Sequence, residues 1–182
     1  MVLVFLCSIT MTIKYNLIQT PSQHSLLIAE FDNSLVMCVY LMGDKTFKKL
    51  KDIAKELKQD IEEGESPLLH KVANQLNEYF RGERKNFDLP INPQGTDFQK
   101  KVWKALIQIP HGATTSYKEI ASAIGAPKSC RAVGNAIGKN PIGIIIPCHR
   151  VKHADGSLGG FAWGTDIKLS LLALEASQRK EN

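Results

Sequence analysis

Cys148 stands between the run Ile144-Ile145-Ile146-Pro147 and the pair His149-Arg150. A thiol becomes a nucleophile in proportion to its thiolate fraction, and an adjacent imidazole and guanidinium are neighbours that raise that fraction. Cys148 therefore reads as an activated nucleophile. The isoleucines read as a buried, extended strand that delivers it, and Pro147 removes a backbone donor and ends the run. A cysteine beside a buried strand can equally be a small, inert hydrophobe, so the surrounding elements must decide between the two.

Those elements begin with β-rich runs over 13–19, 25–31 and 35–41, with Asp32-Asn33 as a tight turn, which predicts a small antiparallel meander. Residues 46–62 place Phe47, Leu50, Ile53, Ala54, Leu57 and Ile61 at helical spacing, with lysines and acids on the opposite face. Ser66-Pro67 opens a second helix that runs through Leu69, Val72, Leu76 and Tyr79 to Gly82. Asn86 to Gly95, with two prolines and no periodicity, reads as a linker. The expected units are an N-terminal sheet-plus-helix domain over 1–88 and a C-terminal domain over 93–182.

The C-terminal half opens with a capping box, Thr96-Asp97-Phe98-Gln99, before an apolar stripe through Val102, Trp103, Leu106 and Ile109. A second capping box, Ser116-Tyr117-Lys118-Glu119, starts a short helix through Ile124. Gly125-Ala126 breaks it, Pro127 suits the first turn of another helix, and that helix continues from Ser129 to Gly138. Two short helices joined by a glycine-containing turn make a helix-turn-helix. Its second helix carries Arg131 amid small residues, including two helix-weakening glycines. Close approach to a partner backbone or tight helix packing would each account for them. Past Cys148, Asp155-Gly156 signals a hairpin returning through Phe161, and 165–176 predicts a last helix with Ile167, Leu171, Leu172 and Leu174 inward. Glu175 near its end reads as solvated surface unless a basic partner meets it.

Charge supports a polyanion partner for the second half alone. Residues 1–92 carry 11 basic and 12 acidic side chains, a net −1, whereas residues 93–182 carry 12 and 6, a net +6. The four cysteines, Cys7, Cys38, Cys130 and Cys148, have no paired spacing, so neither a disulfide scaffold nor a closed zinc site is expected, and a reducing cytoplasm fits. The apolar start, Met1 to Cys7, is too short to span a bilayer and lacks the flanks of a signal peptide. It reads as an edge strand or an over-extended start, with Met11 as an alternative initiator.

From Phe80 to Glu175 the chain resembles the O6-alkylguanine-DNA alkyltransferases. The resemblance rests on Gly95-Thr96, Phe98-Gln99, Val102-Trp103, Ser116-Tyr117, Arg131 to Gly134, Asn140-Pro141, Pro147 to Val151, Gly156 to Gly160, Leu171-Leu172 and Glu175. It implies an α+β fold, with a ribonuclease-H-like N-terminal sheet and a C-terminal winged helix-turn-helix. It implies a single-use reaction in which the alkyl group of O6-alkylguanine, and by extension O4-alkylthymine, moves to Cys148. His149 would take the thiol proton through a water, Glu175 would orient His149, and Asn140 would brace the turn before the strand. Tyr117 would hydrogen-bond the flipped guanine, and Arg131 would fill the gap it leaves in the stack. Lys118, Ala132 and Gly134 would join them on the DNA, and Val151, Phe161, Ala162 and Trp163 would line the substrate pocket. The implied partner is double-stranded DNA carrying O-alkylated bases, bound by a monomer without cofactor, metal or membrane.

Three residues depart from the commonest form of the resemblance. Phe161 stands where tyrosine is usual, Trp163 where glycine is, and Gly143 where proline often is, which bears on substrate range more than on reaction type. Other functions remain in view. A lesion sensor of this kind would lack the acceptor cysteine. A transcription regulator would carry base-reading side chains where this second helix carries glycine and alanine. A cysteine hydrolase would need an oxyanion hole, to which no residue specifically points.

Overall fold

The computed structural model describes residues 12–21 and 23–178; the reading of the first ten residues as an edge strand lies outside them. Strands β1 (Ile13–Gln19), β2 (Ser25–Phe31) and β3 (Ser34–Tyr40) form the expected meander, in the spatial order β3-β2-β1-β4. Leu26 to Ala29 and Leu35 to Cys38 are buried without alternation, so both faces of β2 and β3 are covered.

Helix α1 (Asp44–Leu57) stops five residues before the expected Glu62, at Lys58 in a left-handed conformation (φ 55°). The chain continues as β4 (Ile61–Glu63), parallel to β1, which makes the sheet mixed rather than wholly antiparallel. Charge explains the stop. Glu62 and Glu63 in a last helical turn would meet the negative end of the helix dipole, whereas on the strand Glu62 accepts from Thr12 Oγ1 at 2.9 Å. Helix α2 (Pro67–Phe80) matches expectation, with the Ser66 hydroxyl accepting from Leu69 N and Pro67 in the first turn.

The expected linker is tied to the sheet instead of running free. Leu35 N donates to Pro90 O at 2.8 Å and Asn92 N to Leu35 O at 2.9 Å, so the segment borders β3. An edge strand leaves half of its backbone groups unpaired, and this chain satisfies part of them with its own connection.

In the C-terminal half, α3 (Asp97–Ile107) and α4 (Tyr117–Ala123) each have both arms of their capping box formed. Helix α5 (Cys130–Gly138) begins later than the expected Ser129, and Pro127 lies in the preceding turn. Trp103 Nε1 donates to Ala136 O at 2.8 Å, locking α3 across α5. No strand returns after Asp155-Gly156. The two residues of β6 (Val151–Lys152) pair instead, in parallel, with β5 (Thr115–Ser116). Helix α6 (Thr165–Ser177) turns Lys168, Leu171 and Glu175 inward, while Ile167, Leu172 and Leu174 are only partly covered. Two charged residues on a buried face explain why the pattern of this helix misled.

Candidate active site

The segment before Cys148 is a turn, not the strand its three isoleucines predict. Ile144 has φ 68°, a left-handed conformation in which a β-branched residue is strained by about 1–3 kcal/mol. Two sets of bonds hold it there. Asn140 donates through Nδ2 to Ile146 O at 2.9 Å and accepts at Oδ1 from Ile142 N at 3.0 Å, closing the turn from within. Cys38 of β3 donates to Pro141 O at 2.9 Å and accepts from Gly143 N at 2.7 Å, clamping it from outside. The isoleucines are buried because this turn is wedged against the sheet. Cys148 then opens a single 3-10 turn, Cys148–Arg150, behind Pro147.

Behind the thiol lies a charged cluster with no exposed member. Glu175 Oε1 accepts from the Tyr79 hydroxyl at 2.8 Å and lies 2.9 Å from His149 Nε2. Arg150 reaches the same carboxylate through Nε at 2.9 Å and Nη2 at 2.8 Å, and Gly112 N donates to it at 3.0 Å. The remaining arm of Arg150, Nη1, donates to Ile109 O at 2.6 Å. Glu175 is thus a fully buried hub, not solvated surface. Burial alone would raise its pKa, but the bonds from His149 and Arg150 outweigh that and hold the carboxyl well below its usual range. Burial pushes His149 down despite Glu175, which keeps the imidazole neutral. With Nε2 committed to the carboxylate, Nδ1 is the basic nitrogen, and it has no hydrogen-bond partner among the described residues.

This corrects the expected activation of Cys148. Arg150 is spent on Glu175, and burial pushes the thiol up. What opposes burial is first the Asn140 side chain, then the backbone of Cys148 itself, and then the ammonium groups of Lys168 and Lys49. Lys168 is itself buried and donates to Val151 O at 2.7 Å and to Leu158 O. Tyr79, Lys168 and Lys49 were missed from sequence, and Arg150 was read as acting on the thiol instead of on Glu175. A charged residue on an otherwise apolar helix face, as at Lys168, is the signal that could have found one of them.

Cys148 opens into a cavity of about 610 Å³ whose walls include Tyr117, Arg131, Gly134, Asn140, Phe161 and Trp163. Ala162 is at its exposed rim, and Cys130, Asn135 and His153 also reach it without having been expected. Val151 does not, being fully buried on β6. Lys118 faces a separate polar basin beside β5, and Ala132 is exposed on α5 away from the cavity. Gly134 faces the Tyr117 ring with room for a Cβ at 3.8 Å, whereas a Cβ at Gly159, whose φ is 66°, would lie 2.8 Å from the Tyr117 hydroxyl oxygen. The loop after β6 thus packs on the residue expected to meet the base.

Two of the departures from the usual pattern prove to be one feature. A Cβ at Gly143 would lie 2.0 Å from Cη2 of Trp163, so the indole occupies the space that a larger residue would fill. That indole also packs edge-on to Phe161, with centroids 5.0 Å apart, and against Tyr40 at 5.6 Å. Gly143→Ala should therefore cost about 1–3 kcal/mol of stability by overpacking, with most of that loss cancelled in the Gly143→Ala/Trp163→Ala double variant. Urea unfolding of all four proteins measures the coupling; a value below about 0.5 kcal/mol would disprove the complementarity.

Comparison with known proteins agrees with this geometry. Residues 97–177 match the profile of the 6-O-methylguanine DNA methyltransferase DNA binding domain, and residues 13–93 match the ribonuclease-like domain of the same proteins. The chain belongs to this methyltransferase family. A Methanosarcina barkeri methylated-DNA–protein-cysteine methyltransferase is 46% identical over 161 residues, covering 88% of this chain and 96% of that one. The constitutive Bacillus subtilis methyltransferase of the same name is 48% identical over 128 residues, 70% of this chain and 78% of that one. Among solved structures, Mycobacterium tuberculosis OGT in complex with DNA superposes with a TM-score of 0.77 at 41% identity, covering 91% of this chain and 94% of that one. A Pyrococcus kodakaraensis methyltransferase, at 24% identity and TM-score 0.67, shares the fold. No described helix is long and apolar enough to cross a membrane. Among the described residues no group of His, Cys, Asp or Glu is placed to hold a metal ion.

Proposed function

We propose that this chain repairs DNA by moving the alkyl group of O6-alkylguanine onto Cys148, once per molecule. The observation that carries the reading is a thiol at the floor of an apolar cavity, beside the arginine-bearing helix of a helix-turn-helix and backed by the His149–Glu175 pair. The Cys148 proton passes through a water to His149 Nδ1, the nitrogen left free when Nε2 binds Glu175. The sulfur attacks the alkyl carbon, the carbon–O6 bond breaks, and its electron pair stays on the guanine, so that overall the thiol hydrogen ends on the restored base. Burial, and then Cys148 itself, raise the Tyr117 pKa, which keeps the phenol protonated and able to donate to the departing base. The thioether has no hydrolytic route, which makes the transfer final.

Arg131, exposed at the start of α5 and at the cavity mouth, would occupy the stack when the base is flipped out. Residues 1–88 would frame the site and residues 93–182 would carry it. A free nucleophilic thiol acting on DNA suits a reducing cytoplasm. The test is intact mass after incubation with a duplex containing O6-methylguanine. A gain of one CH2 unit per protein, saturating and absent in Cys148→Ala, is expected; an unchanged mass despite lesion binding would leave a sensor instead.

A further inference from the structure

Six lysines lie between residues 45 and 58, and five of them, Lys45, Lys48, Lys51, Lys55 and Lys58, are exposed. Lys49 is the one that turns in. It leaves α1 beside the buried Thr46, Leu50 and Ile53, crosses to the C-terminal half, and donates to Asn140 O at 2.9 Å. Its partner is a main-chain carbonyl rather than a carboxylate, so no neighbouring anion offsets the ammonium in this partly dry site. Asn140 is the residue whose side chain closes the turn before Cys148 and favours the thiolate.

From this placement we infer that Lys49 is a positioning residue for the transfer reaction, supplied by the N-terminal half. It holds the Asn140 turn in register and provides positive charge for the Cys148 thiolate to form against. The two charges act on one another. Burial lowers Lys49 to about 8 while Cys148 pulls it back up, and Lys49 in turn lowers Cys148. A cation in a site of low dielectric is stabilised by an anion, and the anion within reach is the one the reaction must generate. The other titratable groups around Cys148 are Lys168 of α6, Tyr117 of α4, Cys130 and Arg131 of α5 across the cavity, His153 after β6, and the His149–Arg150–Glu175 cluster, whose cation and anion offset one another. Lys168 and Lys49 thus flank the thiol from opposite ends of the chain. This arrangement gives helix α1 of the N-terminal half a share in the chemistry beyond support.

The inference rests on Cys148 being the acceptor, and its test is independent of transfer. Iodoacetamide labelling of Cys148 would be followed by peptide mass across pH 6–10 in the DNA-free protein, for wild type, Lys49→Met, Lys49→Gln and Lys49→Arg, with melting temperature alongside. In Lys49→Met and Lys49→Gln the labelling midpoint should rise and the rate at pH 7 should fall about tenfold, the equivalent of one pH unit. Lys49→Arg should stay near wild type. Single-turnover transfer from duplex O6-methylguanine should fall by the same factor as labelling. An unmoved midpoint in whichever neutral variant stays folded would overturn the assignment, even if transfer slowed. A moved midpoint in a protein that transfers no alkyl group would instead fault the proposed function and leave the role of Lys49 standing.

Discussion

Glu175→Ala should lose about 3–5 kcal/mol of folding stability, the scale of a buried pair broken by removing one partner. Alanine removes the acceptor of Tyr79 and Gly112 and leaves the Arg150 guanidinium buried with only Ile109 O to bond. Glu175→Gln keeps the shape and one acceptor but not the charge, and should lose less. Acid dependence supplies a second readout with a definite sign. Glu175 is depressed in the folded chain, so its contribution is complete above the unfolded value of 4.5 and is lost as pH falls below it. His149 is depressed too, so the unfolded chain takes up a proton first as pH falls through 6.5, and stability drops there as well. Both act in one direction. The melting temperature of the wild type should fall steadily from pH 7 to pH 4, and in Glu175→Gln the part of the slope below 4.5 should flatten. Urea titrations at pH 7 and melting curves at lower pH check both; an unaltered acid slope in Glu175→Gln would refute the hub.

Arg131→Ala should slow transfer from duplex DNA by about 30- to 150-fold while leaving the reaction with free O6-methylguanine base unchanged. Extruding a base costs a few kcal/mol, and a side chain that fills the vacated stack offsets part of it. Losing about 2–3 kcal/mol of that compensation gives the stated range, since each 1.4 kcal/mol is about tenfold. The free base needs no flipping, so only the cavity and the thiol matter to it. The defect should shrink when the lesion lies opposite thymine, because a mismatched base is easier to extrude. Single-turnover rates on the three substrates measure this. Equal slowing on all three would mean that Arg131 supports the cavity wall instead of the flipped state, a real alternative because it reaches that wall.

Much of the site was legible because its key residues are neighbours in sequence. Cys148, His149 and Arg150 are consecutive, so the candidate residues could be picked out together, and the caps at Thr96 and Ser116 use partners three residues on and form as read. The strands at 13–19 and 25–31 were equally plain, since their β-rich composition and turns are local too. The turn at 140–147 was misread because three isoleucines in a row encode burial and β preference but not φ. The left-handed Ile144 is imposed by Asn140 and by Cys38, more than a hundred residues away. Helix α6 was misread at Lys168 because side chains that usually face water are buried here when carbonyl oxygens receive them.

By itself, then, the sequence determined the candidate nucleophile, the helix-turn-helix and most of the elements that carry them, through periodicity, capping and residue chemistry acting over a few positions. Only the tertiary structure decided how the nucleophile is tuned. Arg150 is neutralised by Glu175 and not by the thiol, Tyr79 closes the hub across 96 residues, and Lys49 arrives from 91 residues before the Asn140 carbonyl it binds. The physical reason is that a buried charge is defined by its partners in space, and the cost of leaving it unpaired constrains the folded arrangement without naming those partners in the local sequence.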